Sequence, residues 1–158
     1  LTGHLVFSTL HTNDAPSTIT RLQNMGTPNY LISAALSLIM AQRLARKTCS
    51  DCRIIDESVT PQLLNAIGFT PEQTRARIYK GKGCDKCGGS GYKGRMGIYE
   101  ILEVDKQLKQ GVLSNLGQNE LVALAKKNGF RTMQNMGHDL LLGGDLTYKE
   151  YDRVLSAG

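Results

Sequence analysis

The first apolar run of the chain covers residues 5–10 and is followed by polar residues. A short run that is apolar at most positions favours a strand buried on both faces of a parallel sheet. A second run, residues 98–102 after Gly97, contains β-branched and aromatic residues and predicts another strand.

A helix is predicted directly after the first run. Asp14 can cap this helix, Pro16 occupies its second position, and Gly26 ends it. Its apolar face consists of Ile19, Leu22 and Met25. The chain therefore opens with a predicted strand, a polar loop and a helix.

Three Thr-Pro pairs mark further helix starts, because threonine caps helices well and proline suits the first helical position. The pairs are Thr27-Pro28, Thr60-Pro61 and Thr70-Pro71. Gln73 can complete a capping box with Thr70. The helix from Pro28 carries an apolar stripe, which predicts a core helix packed on the sheet. The stripe consists of Leu31, Ile32, Ala35, Leu36, Ile39 and Met40.

The last third of the chain has a helical pattern. One apolar face consists of Leu121, Leu124 and Ala125. Gly129 is the predicted end of that helix, and Thr147 with Glu150 predicts a second capping box. His138 belongs to no motif and is predicted to lie at the surface.

With 158 residues, 41% of them hydrophobic, the chain has the size of one globular domain with a real core. No apolar run approaches the roughly 20 residues that span a bilayer, and the N-terminus lacks the layout of a secretory signal. These features indicate a soluble, cytoplasmic protein. Because the sequence starts at Leu1 and enters directly into a strand-like run, we interpret it as part of a longer protein.

The formal charge of +5 raises the question of nucleic-acid binding. Few aromatic residues are interleaved with the basic ones, so a solvated basic face is the favoured interpretation. The basic residues form a loose cluster around the cysteines: Arg43, Arg46, Lys47, Arg75, Arg77, Lys80, Lys82, Lys86, Lys93 and Arg95.

The four cysteines form two CxxC pairs, Cys49 with Cys52 and Cys84 with Cys87. Two residues between thiolates allow one tight turn to present both sulfurs to a tetrahedral zinc ion, and two such turns complete a Cys₄ shell. Four thiolates leave no open position for water, so a structural zinc is predicted rather than a catalytic one. Disulfides or a redox-active pair are the alternatives, and a reducing cytoplasm disfavours them.

Residues 89–94 fit the pattern GxGxxG and nearly fit a P-loop, but neither interpretation suits the context. A dinucleotide fingerprint follows a strand and opens a helix, whereas this segment follows a cysteine pair and enters a strand. Arg95 and Met96 stand where a P-loop needs lysine and serine or threonine. Cys84, Cys87 and the following glycines also match one CxxCxGxG unit of the J-protein chaperones, which use several units in series. Tight turns after the metal ligands are the favoured role for these glycines.

Three segments resemble, in the same order, the ATPases of type II secretion and type IV pilus assembly. Residues 2–13 (TGHLVFSTLHTN) resemble the histidine box of that family, and residues 41–47 (AQRLARK) and 91–100 (GYKGRMGIYE) match two further segments. With the cysteines between them, the resemblance covers nearly the whole chain. The cysteines favour the assembly ATPases over the retraction ATPases, and the sequence looks more like the pilus-assembly branch than the secretion branch.

The resemblance implies an α/β fold. Residues 1–48 would be the C-terminal part of a RecA-like ATPase core, residues 49–92 a four-cysteine zinc subdomain, and residues 93–158 a strand plus a helical subdomain. It further implies a homo-hexamer, cytoplasmic and peripheral to the inner membrane, that uses ATP and Mg²⁺ to drive pilin or pseudopilin assembly. The implied partners are inner-membrane platform proteins, and no nucleic acid is expected.

The resemblance also assigns three residues near the nucleotide. His4 and His11 match the histidine box, which in the family lies near the γ-phosphate, where an imidazole can stabilise charge. Arg95 matches a segment that approaches the base or ribose, although a structural or solvent-facing arginine fits as well. The family's P-loop and acidic metal-binding segments lie before Leu1, so this chain alone is predicted to be inactive. A stand-alone zinc-stabilised module that binds protein or nucleic acid is the alternative function.

Overall fold

The computed structural model describes residues 3–156. The chain divides into two compact units. The first unit comprises the residues up to Gln42 together with Tyr99–Thr132, and the second comprises Arg43–Ile98 together with the residues from Met133 onward.

The described chain mixes helices and strands. Its helices are α1 (Ala15–Asn24), α2 (Asn29–Ala35), α3 (Pro61–Ala66), α4 (Lys106–Leu113), α5 (Gln118–Lys127), α6 (Met133–Gly143) and α7 (Tyr148–Tyr151). Its strands are β1 (Leu38–Thr48), β2 (Arg53–Ile55), β3 (Tyr79–Gly81) and β4 (Tyr92–Glu103). Short 3₁₀ turns cover Ser50–Cys52, Gln73–Arg75 and Asp85–Cys87, and a π-helical turn covers Asp152–Ser156. Among the residues described, no helix is both long enough and apolar enough to cross a bilayer.

Two small sheets organise the strands. β1 pairs with β4, and β2 pairs with β3 in antiparallel register. In the second pair Arg53 lies opposite Gly81 and Ile55 opposite Tyr79. β4 confirms the predicted strand at residues 98–102 and is longer than predicted, since it begins at Tyr92.

The first unit has a core made by α1, α2, α4, α5 and one face of the strands. Its buried residues are Ala15, Ile19, Ile32, Ile39, Leu102, Val104, Leu108, Val112, Leu121 and Ala125. Side chains alternate between the faces of a strand, and accordingly Ile39 is buried while its neighbours Leu38 and Met40 are exposed.

The predicted start and end of α1 are confirmed. The Asp14 carboxylate accepts a hydrogen bond from the Ser17 amide at 2.7 Å, and Gly26 follows the helix with φ +83°. A left-handed φ at this position suits glycine, which has no Cβ. Ile19 is buried as predicted, but Met25 lies beyond the last helical residue and is exposed.

The strand predicted at residues 5–10 is wrong. The segment has no regular structure, and Leu5, Val6 and Phe7 are 81%, 76% and 89% exposed. A buried strand needs neighbours that satisfy its backbone groups, and none of the strands described in residues 3–156 pairs with this segment.

The predicted helix from Pro28 is correct only in its first half. Pro28 is the cap rather than the first helical residue, α2 ends at Ala35, and β1 begins at Leu38. Residues 38–40 fit both the helical stripe and the alternation of a strand. Pairing with β4 decides between them, because it satisfies the backbone of β1 and buries Ile39.

The other predicted helix caps agree with the structure to different degrees. Thr60 caps α3 and accepts the Leu63 amide, as predicted. Thr70 and Gln73 do form a capping box, but it supports only the 3₁₀ turn Gln73–Arg75. Thr147 caps α7, whereas the Glu150 carboxylate binds two arginines rather than completing the box.

The helix predicted before Gly129 is confirmed as α5. Leu121 and Ala125 are buried in the first unit, and Gly129 follows the helix with φ +91°.

Candidate functional site

The four cysteines meet in the second unit. Their sulfur atoms all lie within 4.8 Å of one another, and all four are free thiols. The Sγ atoms of Cys49 and Cys84 are 3.9 Å apart, those of Cys52 and Cys87 are 3.9 Å apart, and those of Cys84 and Cys87 are 3.7 Å apart. The cluster is therefore close enough to hold one metal ion.

These separations suit a tetrahedral metal ion. Zinc-to-sulfur bonds of about 2.3 Å in tetrahedral geometry require sulfurs about 3.8 Å apart. Thiolates are ligands that Zn²⁺ favours, and four of them close its coordination shell. Both the donor set and its spacing thus fit a structural zinc ion.

Two short turns present the sulfurs. The 3₁₀ turn Ser50–Cys52 follows β1, the 3₁₀ turn Asp85–Cys87 follows β3, and the pairing of β2 with β3 holds the two turns side by side. The Lys82 amide extends this pairing by donating to the Cys52 carbonyl at 2.9 Å.

Glycines allow the backbone to cross closely beside the cysteines. A Cβ atom on Gly81 would collide with the backbone of Gly91, and one on Gly83 would lie 2.5 Å from the Gly89 carbonyl oxygen. Gly91 also has φ +76°. These crossings bear out the interpretation of the glycines as turn residues.

Backbone amides donate hydrogen bonds to the sulfurs. The Cys87 Sγ accepts from the amides of Cys84 at 3.2 Å and Gly91 at 3.3 Å, and the Cys52 Sγ accepts from Gly83 at 3.3 Å. The Cys84 hydrogen bond, helped by that of Gly91, lowers the pKa of Cys87 to about 6 against the effect of burial. Burial raises the pKa of Cys52 to about 11. Thiols deprotonate when they bind a metal, so loading this cluster releases protons.

Half of the predicted basic cluster is engaged in ion pairs. Lys86 and Lys93 both contact Asp51, which lies between two of the cysteines in sequence. The hydrogen bond to Asp51 raises the pKa of Lys86. The other pairs are Arg46 with Glu150, Lys47 with Asp145, and Lys80 with Asp56. These contacts fit the interpretation of the cluster as a solvated face with its own counter-charges.

The predicted nucleotide residues occupy exposed positions. His11 is exposed and lines a cavity of about 300 Å³ in the first unit. The residues that line the cavity have polar or basic side chains and include no carboxylate: His11, Thr12, Asn13, Ser17, Thr20, Arg21, Asn24 and Gln118. His4 is exposed and is not part of this wall, and Arg95 lies on an exposed face of β4 in the second unit.

His138 is half-buried, so its prediction as a surface residue holds only in part. Its Nε2 lies 2.9 Å from the Ile67 carbonyl oxygen and 3.1 Å from the Tyr151 hydroxyl, and its ring lies 4.4 Å from that of Phe69. Since a carbonyl can only accept, Nε2 carries the proton. Burial lowers the pKa of His138.

Glu150 is the residue whose importance was missed by the sequence reasoning. Its side chain has no solvent exposure, and it binds Arg46 and Arg153. The sequence predicts only a capping-box role for Glu150, because no local pattern indicates its partner Arg46, 104 positions away.

Residues 1–153 match the family described as type II/IV secretion system protein. The chain belongs to this family. The sequence-based resemblance to secretion and pilus-assembly ATPases is thereby confirmed at the level of the family.

Curated relatives within the family come from both branches. The chain is 41% identical over 151 residues to the type IV pilus assembly ATPase PilB of Thermus thermophilus, a match covering 95% of this chain and 17% of that protein. It is 41% identical over 155 residues to the type IV pilus assembly ATPase TfpB of Acinetobacter baylyi, covering 98% of this chain and 26% of that protein. It is 38% identical over 156 residues to the type II secretion system protein E of Klebsiella pneumoniae, covering 98% and 30%. The chain thus spans less than a third of each relative's length.

Proposed function

We propose that this chain is the C-terminal portion of a hexameric ATPase that powers type IV pilus assembly or type II protein secretion. The observation that carries the proposal is the 41% identity over 151 residues to a type IV pilus assembly ATPase. The match covers 95% of this chain, and the family match covers residues 1–153, which contain the histidine-box segment and the four cysteines.

In this proposal residues 1–48 belong to a RecA-like ATPase core, residues 49–92 form the zinc subdomain, and residues 93–158 form a strand plus a helical subdomain. The clustering of Cys49, Cys52, Cys84 and Cys87, all within residues 49–92, supports the zinc subdomain. The zinc ion is structural, because four thiolates exclude water from its coordination shell.

ATP and Mg²⁺ would bind in the intact parent protein, where the γ-phosphoryl group of ATP is transferred to water and ADP leaves. His4 and His11 would lie near the γ-phosphate, and Arg95 near the base or ribose. The cavity around His11 is lined by Arg21 and by no carboxylate, which supports the assignment, since an anionic phosphate is attracted by a guanidinium and repelled by carboxylates. An imidazole there can donate a hydrogen bond to a phosphoryl oxygen.

The parent ATPase would work in the cytoplasm at the periphery of the inner membrane, with inner-membrane platform proteins as partners. The experiment is to purify the intact parent and this chain separately, and to measure ATP hydrolysis and molecular mass for both. We expect a hexamer that hydrolyses ATP only for the parent, in which a GxxxxGK[ST] segment precedes this chain. A parent that neither hydrolyses ATP nor forms hexamers would contradict the proposal.

A further inference from the structure

Two neighbouring backbone amides join the metal site to the loop between α6 and α7. The Cys49 amide donates to the Gly91 carbonyl at 2.9 Å, and the Thr48 amide donates to the Asp145 carbonyl at 2.9 Å. The end of β1 is therefore bonded on one side to Gly91, which follows the second cysteine turn, and on the other to Asp145 in the loop between the two helices. All of these residues lie within the second unit.

Tyr92 makes a second connection. Its neighbour Gly91 donates to the Cys87 sulfur, and the Tyr92 hydroxyl lies 3.0 Å from Oγ1 of Thr147. That same Oγ1 accepts the Glu150 amide at 3.1 Å and so caps α7. A shift of the second cysteine turn would move Tyr92 away from the cap of this helix.

Arg53 makes a third connection from the other cysteine turn. It follows Cys52 directly, and its guanidinium donates to the Gly143 carbonyl at the end of α6 at 3.0 Å. The side chain also packs over the Tyr79 ring and against Gly144, where φ is +74°. Arg53, after the first cysteine turn, thus contacts the end of α6, and Tyr92, after the second, contacts the cap of α7.

A buried charge makes these contacts costly to disturb. Arg46 stacks over the Tyr92 ring at 4.1 Å and binds the Glu150 carboxylate, which has no solvent exposure. A buried carboxylate deprived of its partner is strongly unfavourable. Displacing Tyr92 would remove the ring that covers Arg46 in the Arg46–Glu150 ion pair. The covered ion pair is therefore favoured only while the second cysteine turn, to which the neighbouring Gly91 is bonded, keeps its position.

We infer that the metal site and the C-terminal helices form one coupled device, in which metal bound by the four cysteines fastens residues 133–156 to the second unit through Arg46, Arg53, Tyr92, Thr147 and Glu150. We call these five residues the clasp. Without metal the sulfurs of the two cysteine turns are joined only by weak hydrogen bonds. The pairing of β2 with β3 must then hold the turns side by side without the metal, and the clasp loosens. The inference rests on the metal site proposed above.

Hydrogen exchange measured by mass spectrometry tests the coupling in the zinc-loaded chain and after chelation under reducing conditions. We expect exchange in residues 133–156 to accelerate at least about fivefold on zinc removal, as typical coupling energies imply, while α5 in the first unit changes little. Acceleration confined to residues 49–92 would overturn the inference. In that case α6 and α7 would be held by other contacts, such as that of His138 with Ile67.

If the metal-free chain unfolds completely, all of its amides exchange fast and the comparison cannot test the coupling. The Tyr92→Phe variant tests it without removing zinc. This variant keeps the ring under Arg46 and removes only the hydroxyl that contacts Thr147. With zinc at full occupancy we expect faster exchange in residues 133–156 than in the wild type, and unchanged exchange would overturn the inference. Tyr30→Phe, the same change at an exposed tyrosine of the first unit, is the matched control.

Coupling between two sites is reciprocal, so if metal binding stabilises the C-terminal helices, a change at a clasp residue of those helices must alter metal affinity. We expect Thr147→Val to weaken zinc binding about fivefold in competition with a chromophoric chelator, and Thr20→Val in α1 to leave it unchanged. If Thr147→Val loses exchange protection in α7 but binds zinc with wild-type affinity, Thr147 only caps the helix, and the coupling to the metal site is overturned. Absence of bound zinc in the wild type would instead refute the metal site itself.

Discussion

Arg46 and Glu150 lie 104 positions apart in the chain, yet the Arg46 guanidinium donates two hydrogen bonds to the Glu150 carboxylate, at 3.0 and 2.6 Å. The Arg46 backbone amide adds a third at 2.8 Å, and Arg153 binds the same carboxylate. Because the Glu150 side chain has no solvent exposure, these partners replace all of its hydration. The arrangement joins β1 to α7 by a buried charge.

Glu150→Gln should destabilise the protein. The substitution keeps the shape of the side chain but leaves two arginines facing a neutral amide, and disrupting a buried ion pair costs about 3 kcal/mol. Chemical denaturation of the zinc-loaded protein measures the change in the free energy of unfolding. Glu57→Gln, in the turn after β2, is the control, and it should change stability by less than about 0.5 kcal/mol. Equal effects of the two substitutions would contradict the role assigned to the buried carboxylate.

The same carboxylate should make stability depend on pH. Burial by itself would raise the pKa of Glu150, but the hydrogen bonds from Arg153 and Arg46 outweigh it and lower the pKa to about 2, from an ordinary 4.5. A group with a depressed folded-state pKa stabilises the fold above its unfolded pKa, and this contribution is lost as the pH falls through the folded pKa. The advantage of wild type over Glu150→Gln should therefore be full above pH 4.5 and shrink between pH 4.5 and about 2. A difference that stays constant across this window would contradict the assignment, and the comparison cancels any acid release of metal common to both proteins.

The metal site predicts a stoichiometric zinc content. We expect elemental analysis of the purified chain to find about one zinc per chain, and Cys84→Ser to abolish it, since a four-cysteine shell that loses one thiolate is no longer complete. The variant should also unfold at lower denaturant concentration. Ser50→Ala, which changes a residue between the cysteines without removing a sulfur, should retain zinc. A zinc-free chain that remains stably folded would refute the site.

A close contact in the C-terminal helices predicts the effect of a single methyl group. A Cβ atom on Gly137 would lie 2.5 Å from Cδ1 of Leu155 and 2.7 Å from Cε2 of Tyr151. We expect Gly137→Ala to cost about 1–3 kcal/mol through overpacking. Gly143→Ala in the same helix meets only an Asp145 oxygen at 3.8 Å, and should be neutral or slightly stabilising because alanine favours helices. Thermal unfolding compares the two, and a Gly137→Ala protein as stable as Gly143→Ala would rule out tight packing at this position.

Local sequence signals predicted the parts of the structure whose physics is local. The start of α1 depends on Asp14 and its end on Gly26, and these two residues flank a single helix of 10 residues. The cysteine cluster could be predicted because CxxC spacing itself shapes a turn that presents two sulfurs. The sequence indicates that glycine is needed near the cysteines, but it does not indicate that the Gly81 and Gly91 backbones cross closely, since neither residue identifies its partner.

The errors arose where distant contacts decide the outcome. Residues 5–10 have the apolarity of a buried strand, but strand formation also requires a pairing edge, which composition does not reveal. Residues 38–40 satisfied two periodicities at once, and pairing with β4 selected the strand. Glu150 binds Arg46, 104 positions away, and His138 bonds to Ile67, 71 positions away, so these contacts could not be deduced from neighbouring residues.

The exposed imidazole of His11 leads to a prediction for the parent ATPase proposed above. If it donates a hydrogen bond to a phosphoryl oxygen as that group is transferred, His11→Ala should lower turnover by about 100-fold, the effect of removing one such donor. Binding of ATP and assembly of the hexamer should persist, because His11 is exposed and lies outside the buried core of the first unit. Steady-state ATP hydrolysis, nucleotide titration and mass measurement separate these effects. Asn24→Ala, which alters the same cavity wall without an imidazole, is the control and should retain most activity. Unchanged turnover in His11→Ala would remove this residue from the site, and loss of the hexamer would assign it to subunit contact rather than to the nucleotide.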